Sequence, residues 1–227
     1  MRLPLPRRAV VVALGLVLAG LSPARAVDAN LDPEAIDRAI TFARQAERPE
    51  RAAFHDRYFR TLTGEVNRIS VVTEYRRVVL LMEEKMRVLD RNYGVRQMTA
   101  MLKPWRGLVE IIADVQFHPQ NAYVRVPLFD VLLVPLDPPG DAMPLVAEAT
   151  DRQPRFGQFR EPTPAGAPWW PFPPPTAPAL GGTEPLTGGW VHARFDAAAL
   201  TRGRYEVAVK DGATTMARVQ FDFGAIR

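Results

Sequence analysis

Hydrophobic positions change their period twice between residues 64 and 118, and the rest of the chain is read around that change. Residues 64–72 alternate and become β-branched (Val66, Ile69, Val71, Val72), the pattern of a strand. Thr73 offers a helix N-cap, with Glu74 in a first turn where the helix dipole favours an acid. Tyr75, Val79, Met82, Met86 and Leu89 then mark one helical face to Asn92, with Gly94 as its C-cap. A shorter helix follows over 95–103, and residues 108–117 are a strand again.

Upstream, Asp32-Pro33-Glu34 is a helix start. The stripe Ile36, Ala39, Ile40, Ala43 runs from it, and a second helix spans 50–62 with Phe54, Tyr58 and Leu62 on one side. Both are amphipathic and expected to cover the protein's own sheet.

Downstream, Val109, Ile111, Ala113, Val115 and Phe117 face one way, with Glu110, Asp114 and Gln116 opposite. Residues 118–121 are expected to turn and 122–134 to return as an antiparallel strand, bulged or at an edge because of Pro127. Short strands are expected at 143–149 and 155–160. Strands at 190–196, 204–210 and 213–223 follow, the last two joined at Asp211-Gly212, a type I′ composition.

Within that last group, Leu200-Thr201-Arg202-Gly203-Arg204-Tyr205 resembles the tyrosine corner of immunoglobulin-like and fibronectin type III-like sandwiches. There a Leu, a Gly and a Tyr lead into the penultimate strand and the hydroxyl bonds back to the backbone. The resemblance covers the last 40 or so residues and implies a fold, not a function. The expected class is therefore α+β: an N-terminal helical pair over 27–63, then an immunoglobulin-like antiparallel β-sandwich over 64–227 with a helical insert (74–103) and a proline-rich loop (154–188).

The N-terminus changes the charge picture. Arg2, Arg7 and Arg8, an apolar run of 13 residues over 9–21 and Ala24-Arg25-Ala26 form a signal peptide, expected to be cleaved after residue 26. It carries four of the 29 basic residues and none of the 25 acidic ones, so the remainder holds 25 of each. Its formal neutrality removes the field that would draw in nucleic acid. No later run is long enough to span a bilayer, and with no cysteine there is neither a lipid-attachment site nor a disulfide. The expected location is a bacterial periplasm or the medium.

Reactive constellations are scarce. There is no thiol and no G-x-S-x-G elbow, and Ser70 is the only serine after the signal. His55, His118 and His192 lack metal-ligand spacing and read as solvated; no cofactor is implied. Glu83/Glu84 and Glu110/Asp114 are spaced as solvated faces rather than as catalytic pairs. Arg76, Arg77 and Arg87 read with Glu83 and Glu84 as a mixed-charge outer helix face. Gly181-Gly182 and Gly188-Gly189 read as loop glycines.

One stretch stands out. Ten prolines lie between Pro154 and Pro185, around Trp169-Trp170-Pro171-Phe172-Pro173-Pro174-Pro175. Trp169, Trp170 and Phe172, with Trp190 just beyond, are the candidate binding residues, since exposed aromatics invite association. A protein partner is the first expectation, and a sugar ring stacked on the indoles is the alternative. The loop can equally fold back and cap the sandwich. The expected function is a non-catalytic binding or assembly role in the envelope, set against an enzyme, glycan-active among them, whose carboxylates and histidines converge only in the fold.

Overall fold

The computed structural model describes residues 30–90, 92–137, 143–157 and 184–226. Asp32 caps α1 (Pro33–Gln45), its Oδ1 accepting the Ala35 N–H, and the proline stands in the first turn where no donor is needed. The short helix α2 (Arg48–Asp56) and strand β1 (Phe59–Thr61) replace the single helix expected over 50–62. Strand β2 (Val66–Val72) leads through the Thr73 cap into α3 (Glu74–Arg87). Helix α3 ends five residues earlier than its stripe suggests, and Gly94 is the N-cap of α4 (Val95–Leu102) rather than a C-cap. Leu89, assigned to the buried stripe, is 76% exposed and left-handed (φ +58°), because the chain has already turned out of the helix.

Among the described residues, nine strands form two antiparallel sheets. The remaining ones are β3 (Leu108–Gln116), β4 (Asp130–Pro135), β5 (Leu145–Val146), β6 (Ala149–Phe156), β7 (Leu186–Asp196), β8 (Arg204–Asp211) and β9 (Thr214–Asp222). One sheet runs β1-β2-β3-β7-β6 and the other β5-β4-β8-β9. With β2 as strand A, these orders are A-B-E-D and C′-C-F-G, the order of immunoglobulin-like sandwiches, preceded by β1 at the A edge. The α+β sandwich expected from sequence is therefore observed, with the helical insert joining A to B.

Alternation dictates the core. Val66, Ile69, Val71, Val109, Ile111, Ala113, Val115, Val191, Ala193 and Phe195 from one sheet meet Val131, Leu133, Tyr205, Val207, Val209, Val219 and Phe221 from the other. The outer face of the five-stranded sheet carries a third layer. Val72 and Ile112 pack against Leu80 of α3, and α1 and α4 close over the far side of α3 through Ile36, Ile40, Val79, Met82, Met98 and Leu102. Helix α3 is thus covered on two sides.

The expected hairpin of 108–117 with 122–134 does not form. Both edges of β3 are already taken, by β2 and by β7, and the chain after it crosses to the other sheet. The crossing segment keeps an inward pattern, with Val126 and Phe129 buried between the sheets. Its backbone is broken at Pro127, whose carbonyl accepts the Phe129 N–H in a three-residue turn. Gly188 and Gly189 also depart from expectation, since they lie inside β7. A Cβ on Gly188 would stand 2.2 Å from the Val115 carbonyl oxygen, and one on Gly189 would stand 2.5 Å from Cγ2 of Val126. Bare backbone is needed where other elements cross the strand.

The β8–β9 turn has Asp211 opposite Thr214, with φ positive at Gly212 but not at Ala213. Type I′ needs both positive, so Gly at the first central position is the II′ pattern instead. At the opposite end of β8 buried Tyr205 reaches out with its hydroxyl, which accepts the Thr201 N–H at 2.9 Å and lies 3.1 Å from the Thr201 hydroxyl. This closes the corner between β7 and β8. Tyr205→Phe should cost about 1 kcal/mol, since it removes the hydroxyl that accepts the part-buried Thr201 N–H. Denaturant unfolding with no measurable change would show that the corner does not need the hydroxyl.

Candidate functional site

Of the four aromatic candidates, Trp169, Trp170 and Phe172 lie outside the described residues. Trp190 is on β7, on the outer face of its sheet, packed against the Val72–Leu80–Ile112 cluster. The Arg155 guanidinium lies 5.0 Å from its ring, and Arg155 also donates to Asp114 at 2.8 Å. Burial pushes the Asp114 carboxyl up and the arginine opposes it.

Chemistry that the spacing did not foretell gathers under the N-terminal half of α3. Glu110 on β3 and His192 and Arg194 on β7 share one sheet face, because Glu110 stands opposite Arg194 and His192 is one pleat away. Arg77 reaches down from α3, placing Nη2 2.5 Å from Glu110 Oε2, while His192 Nδ1 is 3.1 Å from Oε1. All three are buried, with Glu110 only 2% exposed, so neither Glu110 nor His192 nor Arg77 is the solvated group expected from sequence. Arg77 and Arg194 lie over the Trp105 ring at 3.7 and 4.6 Å. Burial pushes the Glu110 carboxyl up, but the His192 hydrogen bond and the Arg77 charge outweigh it and hold the group below its usual range.

A turn earlier, Glu74 is equally enclosed. It accepts the backbone N–H groups of Asn30 (3.0 Å), Leu31 (2.9 Å) and Gly107 (2.7 Å), and Arg106 Nη1 is 3.5 Å away. One carboxylate ties the approach to α1, the start of α3 and the approach to β3 together.

A second cluster lies between α2 and α3. His55 Nε2 is 3.4 Å from the Glu83 carboxylate, Arg51 Nε is 3.6 Å from it, and Arg76 is wholly buried. Arg76 and His55 thus also leave the solvent assigned to them; the face of α3 that carries Arg76 turns inward. His118 alone of the histidines is exposed, in the expected turn where its carbonyl accepts the Asn121 N–H. Among the described residues no three His, Asp or Glu side chains group as metal ligands, and no helix is long and apolar enough to cross a membrane.

No family model, curated protein or solved structure matches the chain. The two clusters are accordingly judged on their own geometry. The anions under α3 are saturated by arginine, histidine and backbone donors, and are sealed between helix and sheet. That arrangement fastens layers. Solvent-facing apolar side chains gather elsewhere, at the end of the sandwich where β3 and β6 finish and β7 begins. Phe117, whose N–H reaches the Thr187 carbonyl, packs on Tyr123 at 4.9 Å, and Phe156 stands opposite Leu186. Tyr123, Val124 (89%) and Phe156 are exposed there, and Leu128 is exposed further along, where the carbonyls of Pro127 and Phe129 on either side of it accept from Arg152 of β6.

The single change Glu110→Gln should destabilise by about 3 kcal/mol, as it strands a buried guanidinium. Replacing both partners, Arg77→Met with Glu110→Leu, should recover most of that loss. The stabilisation from Glu110 is complete above the unfolded carboxyl value and disappears as pH falls through its lowered folded value. Denaturant melts of the single and double variants measure both effects; a double variant as weak as the single one would refute the fastener.

Proposed function

We propose that the chain is an exported, non-catalytic binding or assembly protein of the bacterial cell envelope, acting through a protein contact at one end of the sandwich. The observation that carries this reading is where the connections fall. The β3–β4 crossing, the β6–β7 connection and the β8–β9 turn all leave the same end, since β7 runs away from it and β8 returns to it. In immunoglobulin-type sandwiches the equivalent B–C and F–G loops of one end serve recognition, an argument by fold analogy. Here that end carries Tyr123, Val124 and Phe156 in solvent, and Trp169, Trp170 and Phe172 lie in sequence between Gly157 and Glu184, whose described ends belong to the β6–β7 connection. Interface cores are enriched in exposed aromatic groups of this kind and in arginine, and Arg125 is exposed among them.

A catalytic reading has one observation in its favour, the 3.1 Å approach of His192 to buried Glu110. The acid in that pair is already neutralised by Arg77, which leaves it little capacity to take or give a proton. A glycan on the indoles remains the alternative ligand.

A photo-cross-linker at Val124, introduced into the full chain and irradiated in envelope extract, should trap a protein that the same probe at Arg202, on the opposite end, does not. Trp169→Ala/Trp170→Ala should abolish that product with the unfolding midpoint unchanged. Equal trapping from both ends would refute the assignment, and a lowered midpoint would show that the tryptophans pack on the protein's own sandwich.

A further inference from the structure

Helix α2 is held by an unusual anchor. His55 is its single fully buried residue, and beneath the helix lies an aromatic cluster in which Phe54 meets Phe42 and Tyr58 at 5.0 Å each and Tyr75 at 6.1 Å. The imidazole faces α3, where Nε2 is 3.4 Å from the Glu83 carboxylate. Arg51 of α2 approaches the same carboxylate and also donates to the Ala46 carbonyl at the end of α1. Arg76 of α3 spends Nη1 on the carbonyls of Tyr58 and Val71, while its Nε and Nη2, and Oε2 of Glu83, are buried without a hydrogen-bond partner. Arg77 and Arg87 from α3, and Tyr58 and Arg68 from the strand side, complete the charged and titratable surroundings. Buried polar atoms left unmatched in this number make a weak seam.

We propose that α2 is a pH-dependent flap, closed over the aromatic cluster while His55 is neutral and Glu83 protonated, and released when either of them ionises. The surroundings supply the reason: a charged His55 would be buried in the repelling field of Arg76 and Arg51, and a charged Glu83 would be stripped of water. Burial, then Arg76 and Arg51, lower His55 to about 3 from its ordinary 6.5. Burial raises Glu83 to about 8 from 4.5, against Arg51, Arg76 and Arg87.

Opening restores both ordinary values, so His55 takes up a proton on opening below pH 6.5 and Glu83 gives one up on opening above pH 4.5. Between those values the two effects offset, and closure is most favoured there. Below the window His55 drives opening. Above it Glu83 does, until the effect levels off beyond about pH 8. Each group acting alone changes the open fraction by up to about tenfold per pH unit.

Hydrogen exchange on the full chain, corrected for intrinsic chemistry, tests this at pH 5.5, 7 and 9. Amides of α2 should open at least roughly tenfold more at pH 9 than at 5.5, with α1 and α4 unchanged. Glu83→Gln should lose the rise above pH 6.5 and instead open more at pH 5.5 than at pH 7, because His55 then acts unopposed. Equal pH dependence in all helices, or the wild-type profile in Glu83→Gln, would overturn the flap. Direct titration of the Glu83 carboxyl by carbon NMR in the wild type keeps the test open if the variant fails to fold, because an ordinary carboxylate value there would also overturn it.

Discussion

A carboxylate enclosed between a helix and a sheet is the constraint on which this architecture depends. Glu110 sits on a face that β-alternation assigns to solvent, and α3 covers that face. Covering it with apolar residues alone would have served for stability; burying an ion pair seldom adds much over well-packed hydrocarbon. A pair does fix position. Arg77 reaches Glu110 from one azimuth of α3, Leu80 meets Val72 and Ile112 one turn on, and Glu74 draws in the backbone on either side of the insert. Together they set the rotation and the height of the helix on the sheet.

The same covering explains what could and could not be read along the chain. Strand periodicity in β2, β3, β8 and β9 was legible because one face of each meets the inter-sheet core. So was the corner, since Leu200, Gly203 and Tyr205 act within six residues. Pairing was not legible: residues 108–117 and 122–134 have matching alternation whether they pair with each other or face each other across a core. What separates the two outcomes is a β7 strand some eighty residues away that claims the edge of β3.

Arg76, Arg77, Glu110, His55 and His192 were misplaced for a related reason. A charged residue in a periodic segment reads as the wet face, and nothing local reveals that a third layer dries it. The hydrophobic stripe of α3 did contain a hint, because Val78, Val79, Leu80 and Met82 together span more of the helix than one buried face requires. A helix apolar around so much of its girth has neighbours on two sides. The charges between those positions then have to find each other.

The pairing of β3 with β7 has a consequence in time as well as in space. The helices of the insert are built from contacts close in sequence, and loop closure costs them little. The central strand pair of the larger sheet cannot form until the chain has been made past residue 190, and its ring of contacts spans 82 positions between Glu110 and His192. Until then β3, paired with β2 on one side, leaves its other edge open to any neighbouring chain. Synthesis therefore leaves a helical mini-domain waiting on an unfinished sheet, and the slow step of assembly is the arrival of one strand.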